Sequence, residues 1–335
     1  MKRFIFVISM ACLFFLSFTA CGNGTSVKAQ TSIDAVAKYL SSVTGGISAD
    51  NPVQLAVKID LQNMSVAESG WQQLLGVINL AGKYVALDLS DCSMSGTEFN
   101  PVKDVKTGKE FIASLVLPKQ AGIIAAGLYS SRRGQSSSAF EYFTNLQEVI
   151  GESVYSIGDC AFLECSNLTS VFFPAATSIG AGAFERCGLI SVSFPLATTI
   201  RDAAFLSCTS LTGVDIPVAT TIADWLFNSC SLTSIIIPNG VTSIGIASFY
   251  DCSFTSIIIP SSVTSIGGQA FYECDNLNSV TFEGVISQNN FGSIPLEYFP
   301  FSSPFEGDLR TKYLAGGIGT YTTSNPGSNA VWTKQ

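Results

Sequence analysis

Six cysteines recur along the middle of the chain, at positions 165, 187, 208, 230, 252 and 274. A thiol can ligate a metal, attack a carbonyl or close a disulfide, and each use needs its own arrangement. Metal binding needs Cys pairs converging on one ion. Here one thiol arrives every 21 or 22 residues, along a line. Nucleophilic use needs a base, and the chain holds no histidine. That removes Ser-His-Asp and Cys-His catalysis and the common zinc sites together. Identical stacked positions rarely suit disulfide geometry. What remains is a file of small buried apolar residues. Cys160 stands where Trp225 stands in a later unit, and is expected to be partly exposed.

The carboxylates point the same way. Residues 151–283 carry Glu152, Asp159, Glu164, Glu185, Asp202, Asp215, Asp224, Asp251, Glu273, Asp275 and Glu283 against only Arg186 and Arg201. Most fall between the landmarks described below, on turns, and read as a solvated rim. A glycosidase needs two carboxyls across a cleft, and Asp215 is the only acid on the inferred sheet face. Calcium needs a run such as Asp-x-Asp-x-Asp-Gly, which is missing. The whole chain of 335 residues has 25 acids and 17 bases, with no lysine between Lys119 and Lys312. It therefore lacks the basic footprint of a nucleic-acid binder. No cofactor or metal is expected, and no enzyme.

The elements that carry these residues repeat. Val171-Phe-Phe-Pro174 is followed by Ile179, Ala183-Phe184 and Cys187; the same steps recur from Val192, Val214, Ile235 and Ile257, and Val280-Thr-Phe282 closes the run. The phenylalanine recurs at 162, 184, 205, 227, 249 and 271. Lengths slip only between landmarks: Cys to the next apolar residue is three residues for Leu168, Leu211 and Leu277, but two for Leu189, Leu232 and Phe254. Landmarks of fixed spacing joined by variable gaps are a core joined by surface turns. Leu-x-x-Val-x-Phe-Pro alternates as a strand, and proline ends it. Ala-Phe-x-x-Cys puts Phe and Cys on one side of a single helical turn. One unit buries too little to offset the ordering of its own backbone, so neighbours must cover it in a solenoid.

The pattern Leu-x-x-Ile-x-x-Pro, Ile-Gly, Ala-Phe-x-x-Cys over residues 146–284 resembles the BspA-like, treponemal-type leucine-rich repeat family. A worn earlier unit fits Leu115-Val-Leu-Pro118 with Ile123; the insert within it, residues 130–138, reads as a protruding polar loop. The resemblance implies an α/β leucine-rich-repeat solenoid, a horseshoe with a parallel concave β-sheet. It also implies a surface location and protein binding or adhesion, and no catalytic residues.

The ends complete the organisation. Lys2-Arg3, the apolar stretch Phe4 to Phe18 and Thr19-Ala20-Cys21 have a signal-peptide shape, and the cysteine makes it resemble a bacterial lipoprotein signal. Residues 1–20 are read as the signal, Cys21 as the lipidated residue, 21–30 as a linker and 31–110 as an α/β N-terminal cap. That cap is expected to hold helices over Ser32–Tyr39 and Ser65–Ala81 and strands over Val53–Ile59 and Tyr84–Leu89. The repeat array is 111–284. Residues 285–335 form a small aromatic C-terminal cap, with a short helix from Asp308.

Ligand-binding candidates are strand positions pointing away from the core: Ser170, Phe172, Ser191, Ser193, Asp215, Ser234, Ile236, Ser256, Ile258, Ser279 and Thr281. Serines beside exposed Phe and Ile suggest an interface. The expected function is a surface-anchored lipoprotein, held on the outer membrane by its lipid, whose concave sheet binds a host matrix or bacterial surface protein. The rival is a non-catalytic structural role in the envelope or periplasm.

Overall fold

A computed structural model describes residues 27–64, 66–101, 107–130, 135–293 and 304–335. The expected signal peptide, Cys21, and the aromatics Tyr298, Phe299 and Phe301 lie outside the described residues.

Each unit is a coil with three hydrogen-bonded sides. The first side is the Leu-x-x-Val-x-Phe strand. Strands β1 (Val53–Ala56), β2 (Val85–Asp88), β4 (Ile112–Val116), β8 (Glu148–Ile150) and β10 (Ser170–Phe172) form one parallel sheet in that order. Strand β12 (Ser191–Ser193) pairs with β14 (Gly213–Asp215), and β17 (Ser256–Ile259) with β19 (Ser279–Phe282), both parallel. Cap strands β1 and β2 are thus the first two rungs of the repeat's own sheet. They are shorter than the sequence predicts.

The second side is a ladder to which the sequence reading assigns no strand. Strands β3 (Glu98–Phe99), β5 (Ile123–Ile124), β9 (Ser156–Ile157), β11 (Ser178–Ile179) and β13 (Thr199–Ile200) run parallel. Strands β15 (Thr221–Ile222), β16 (Ser243–Ile244), β18 (Ser265–Gly267) and β20 (Phe291–Ser293) form a second such file. Each rung buries its landmark isoleucine, from Ile157 to Ile266. Threonines guard the edge of these files: Thr177 Oγ1 donates to the Tyr155 carbonyl at 3.1 Å, and Thr264 Oγ1 to that of Thr242 at 3.2 Å. Two residues are too few to show alternation, so no periodicity marks these strands.

The third side corrects an expectation. Ala-Phe-x-x-Cys is not a helical turn. It is a run of turns in which every fourth residue is left-handed: φ is +52° at Cys160, +63° at Glu164, +56° at Ala203 and +57° at Ser207. Of the residues equivalent to Cys160, only Gly182 is a glycine. A left-handed residue costs about 1 kcal/mol or more. The return is that alternate N–H groups point along the solenoid: Cys160, Phe162 and Glu164 donate to the carbonyls of Ala181, Ala183 and Glu185 at 2.8, 2.7 and 2.8 Å. A helical turn would spend those donors within its own coil.

Under this side runs one file of rings. Phe140, Phe162, Phe184, Phe205, Phe227, Phe249, Phe271 and Phe305 stack with centroids 4.3, 5.2, 5.4, 5.6, 5.6, 5.1 and 4.7 Å apart. The caps supply both ends: Phe99 stacks on Phe140, and Phe305 comes from the C-terminal segment.

The first-side sheet is interrupted at three places, and the interruptions follow the sequence. They fall before β12, before the segment 234–237 and before β17. These are the three units whose Cys-to-apolar step is two residues rather than three. A short turn thus marks where the ladder to the preceding coil is lost, whereas β12 and β17, which follow short turns, still pair in register with the strands after them. The expected strand at Ile235–Ile237 lacks ladder partners on either side, although Ile237 stays buried.

The N-terminal cap packs helix α1 (Ile33–Ser42) against α2 (Gly70–Ala81). Ser32 caps α1 by accepting from the Ala35 N–H, and Lys83 Nζ donates to the carbonyls of Leu40 and Val43 at its C-terminus. Helix α2 starts at Gly70, five residues later than predicted. Gly70 lies so close under the Asp60 carbonyl that a Cβ would collide with its oxygen. The insert lies in an antiparallel hairpin, β6 (Leu128–Ser130) with β7 (Gln135–Ser137); residues 131–134 lie outside the described residues. At the far end helix α3 (Leu309–Gly316) precedes β21 (Gly319–Thr322) and β22 (Thr333–Lys334). These two strands extend the β17–β19 sheet antiparallel. Phe282, Phe291, Tyr313 and Tyr321 are buried beneath them.

Candidate functional site

The outward positions of the first-side sheet form two columns. In one, register aligns Gln54, the buried Ala86, Ser114, Glu148 and Ser170. In the other it aligns Ala56, Asp88, Val116, Ile150 and Phe172. Beyond the first interruption the columns continue as Ser191, Gly213, Ser234, Ser256 and Ser279, and as Ser193, Asp215, Ile236, Ile258 and Thr281. None of Ser170, Phe172, Ser191, Ser193, Asp215, Ser234, Ile236, Ser256, Ile258, Ser279 and Thr281 is buried. Ile236 is 84% exposed, Ile258 54% and Phe172 38%.

From Val116 to Ile258 the second column divides into three zones. Val116, Ile150 and Phe172 make one apolar strip on successive strands. Ser193 and Asp215 follow as a polar pair, the serine Oγ donating to the carboxylate at 2.9 Å. Ile236 and Ile258 make the second apolar strip. Thr281 ends the column, hydrogen bonded to Thr320 of β21 at 2.9 Å.

Asp215 is not the only acid here, contrary to the sequence reading. Asp88 and Glu148 also take outward positions. Asp88 accepts from the Ser90 N–H at 2.8 Å. Burial pushes the Glu148 carboxyl above its ordinary range, and among the described residues no side chain bonds to it. Glu148 and Asp215 are three strand steps apart, roughly 14 Å at the usual strand spacing. That is wider than the carboxyl pair of a glycosidase. The sequence reading missed Val116, Ile150 and Glu148 because it counted outward places only from Ser170 onward. Leu115-Val-Leu-Pro118, already recognised as a worn unit, marks Val116 by the same alternation.

The cysteine file is buried, from Cys165 to Cys274. Each thiol donates backward to the phenylalanine carbonyl of the preceding coil: Cys187 to Phe162 and Cys208 to Phe184 at 3.0 Å, Cys230 to Phe205 at 3.1 Å. Burial pushes the Cys165, Cys208 and Cys274 thiols up to about 12. Cys160 is 4% exposed, a correction to the expected partial exposure. It lies against Gly127 at the root of the hairpin, while Trp225, its counterpart, is 40% exposed.

Nor are the acids of the turns simply solvated. Asp159 Oδ1 accepts from the Ala181 N–H at 2.8 Å and Asp224 Oδ1 from the Ile246 N–H at 2.7 Å, each reaching the next coil. Arg201 binds Asp159 at 2.9 Å, and Arg186 binds Glu164 at 3.1 Å and Glu185 at 3.3 Å. Both bases of residues 151–283 are engaged along the coils. Among the described residues no three His, Cys, Asp or Glu side chains gather as metal ligands.

A model of the BspA-type leucine-rich repeat region matches in six copies, over residues 134–245 and 198–307, more than half of the chain. The chain belongs to the BspA-type leucine-rich repeat family. Proteins of this family are in general interaction scaffolds without catalytic activity. The BspA-type chain is also similar to solved structures. One is a leucine-rich cell surface protein of Faecalibacterium prausnitzii, 27% identical over 53% of this chain and 50% of that one, with a TM-score of 0.43. Another is a leucine-rich repeat protein of Bacteroides ovatus, 23% identical over 58% and 66%, with a TM-score of 0.39. The pneumococcal vaccine antigen PcpA is 16% identical over 63% and 69%, with a TM-score of 0.30. The chain spans about half to two thirds of the first two proteins' length. No curated protein matches it.

Proposed function

We propose that this BspA-type repeat protein is a surface-anchored binding module. Its lipid is carried at Cys21, and its concave sheet holds a host matrix protein or a protein of another bacterial surface. The observation that carries the reading is the pair of apolar strips on that sheet, with Ile236 84% exposed. A solenoid needs no such residues outside its core, and contiguous exposed apolar groups mark interaction surfaces. The lipoprotein-like start, and a similar protein described as a cell surface protein, support the location.

The test compares the parent with the triple variant Phe172→Ser, Ile236→Ser, Ile258→Ser on immobilised matrix proteins and on whole bacteria. Circular dichroism confirms that both are folded. The variant loses binding if the reading is right; binding equal to the parent's overturns it. Acyl labelling of the parent, lost in Cys21→Ser, tests the anchor. Protease shaving of intact cells tests the location, because a periplasmic protein survives it.

A further inference from the structure

The columns of the concave sheet also say what kind of segment fits them. The outward positions from β1 to β19 include Asp88, Glu148 and Asp215 and not one lysine or arginine. Among the described residues the Asp215 carboxylate receives a single hydroxyl, from Ser193. Polar ground of one sign therefore separates two apolar strips, and the complementary ligand is apolar at its ends and cationic between them. Spacing sets the interval. Phe172 and Ile236 stand three strand steps apart, about 14 Å. An extended chain laid across the strands advances about 3.4 Å per residue and turns every second side chain to the same face. Residues i and i+4 of such a chain fall about 14 Å apart on the side facing the sheet. Residue i+2 lies between them, over Ser193 and Asp215.

We propose that the concave face recognises an extended peptide segment of the form apolar-x-Arg/Lys-x-apolar, its ends on the Phe172 and Ile236 strips and its cation on Asp215. The inference rests on the concave-face reading above and names the partner chemistry. One further feature suits it. Glu148, beside the first strip, is a half-buried carboxylate that a second cation would neutralise.

The test uses a fluorescein-labelled peptide, Thr-Leu-Ser-Arg-Ser-Ile-Thr, with blocked ends, against the full chain by fluorescence anisotropy. One control places Glu at the centre, and another sets the apolar residues three apart instead of four. The proposal expects the Arg peptide to bind at least tenfold more tightly than either control. It expects the advantage over the Glu peptide to shrink with added salt and to fall at least fivefold in Asp215→Asn. Ile236→Ser, a solvent-facing change that leaves the core intact, should weaken the Arg peptide at least tenfold. No detectable binding at millimolar peptide overturns the proposal, as does equal affinity for the controls or indifference to both substitutions. Protein ligands lost by the concave-face triple variant but not displaced by the Arg peptide would overturn this inference alone. Ligands unaffected by the triple variant would overturn the underlying reading as well.

Discussion

The thiol of Cys208 donates to the carbonyl oxygen of Phe184, one coil back, at 3.0 Å. The same carbonyl accepts the Cys187 N–H at 3.1 Å, so the sulfur fills its second acceptor site. A cysteine here does more than occupy a small volume. Its S–H, though a weak donor, fastens each ring of the phenylalanine file to the coil that follows. Cys208→Val keeps an apolar side chain of similar size and drops the donor. We expect a loss of about 1 kcal/mol, read as a lower midpoint in urea unfolding. A variant as stable as the parent would show that the thiol acts only as a small hydrophobe.

The same burial sets a pH dependence. The Cys165, Cys208 and Cys274 thiols are raised to about 12 and Cys92 to about 11, whereas an unfolded thiol titrates near 8.5. Between those values the folded state holds protons that the unfolded state has released, so stability must fall as pH rises. It is fully present below about pH 8.5 and declines by up to about 1.4 kcal/mol per pH unit for each such thiol. Urea midpoints at pH 7, 8, 9 and 10 should stay level to about 8 and then drop. A level profile to pH 10 would contradict the burial of the file. Thiol reagents should label the native chain slowly at neutral pH and rapidly once it unfolds.

Phe205 stacks between Phe184 and Phe227, with centroids 5.4 and 5.6 Å away. Its removal opens a cavity in the middle of the file and cuts both nearest-neighbour interfaces of one coil. Phe205→Ala should cost about 3–5 kcal/mol. Because a solenoid is held by neighbour contacts, it should also split one unfolding transition into two. Phe205→Leu, which refills most of the volume, should unfold in one step at a slightly lower midpoint. A single transition in Phe205→Ala would mean that the coils couple more widely than through their neighbours.

The solenoid was legible because its core repeats at fixed spacing. Phe184, Phe205, Phe227 and Phe249 fall in one stack, as their spacing in sequence suggests. Alternation likewise places the side chains of Ser193, Asp215, Ile236 and Ile258 outside the core. What was illegible rests on backbone geometry that leaves no trace in residue type. The left-handed places hold Cys160, Ala203, Trp225 and Gln269, where only Gly182 would signal a turn. The strands Ser178–Ile179 and Thr199–Ile200 are too short to alternate. Glu148 was missed because its unit follows the insert and ends its strand on Gly151 instead of proline.

The gap at segment 234–237 gives the sharpest test of how sequence controls the sheet. Its unit has two residues from Cys230 to Leu232, where Cys208 to Leu211 has three, and its strand makes no ladder with β14. If the missing turn residue is the cause, inserting one serine after Ser231 should restore the three-residue step. The strand would then pair with Gly213–Asp215, as strands that follow a three-residue step pair with their predecessors. The amides of 234–237, which should exchange rapidly in the parent, are expected to slow at least tenfold by hydrogen-exchange mass spectrometry. The next interruption, before Ser256–Ile259, should persist, because the step from Cys252 to Phe254 remains short. Unchanged exchange at 234–237 in a folded insertion variant would place the cause of the gap elsewhere than in turn length.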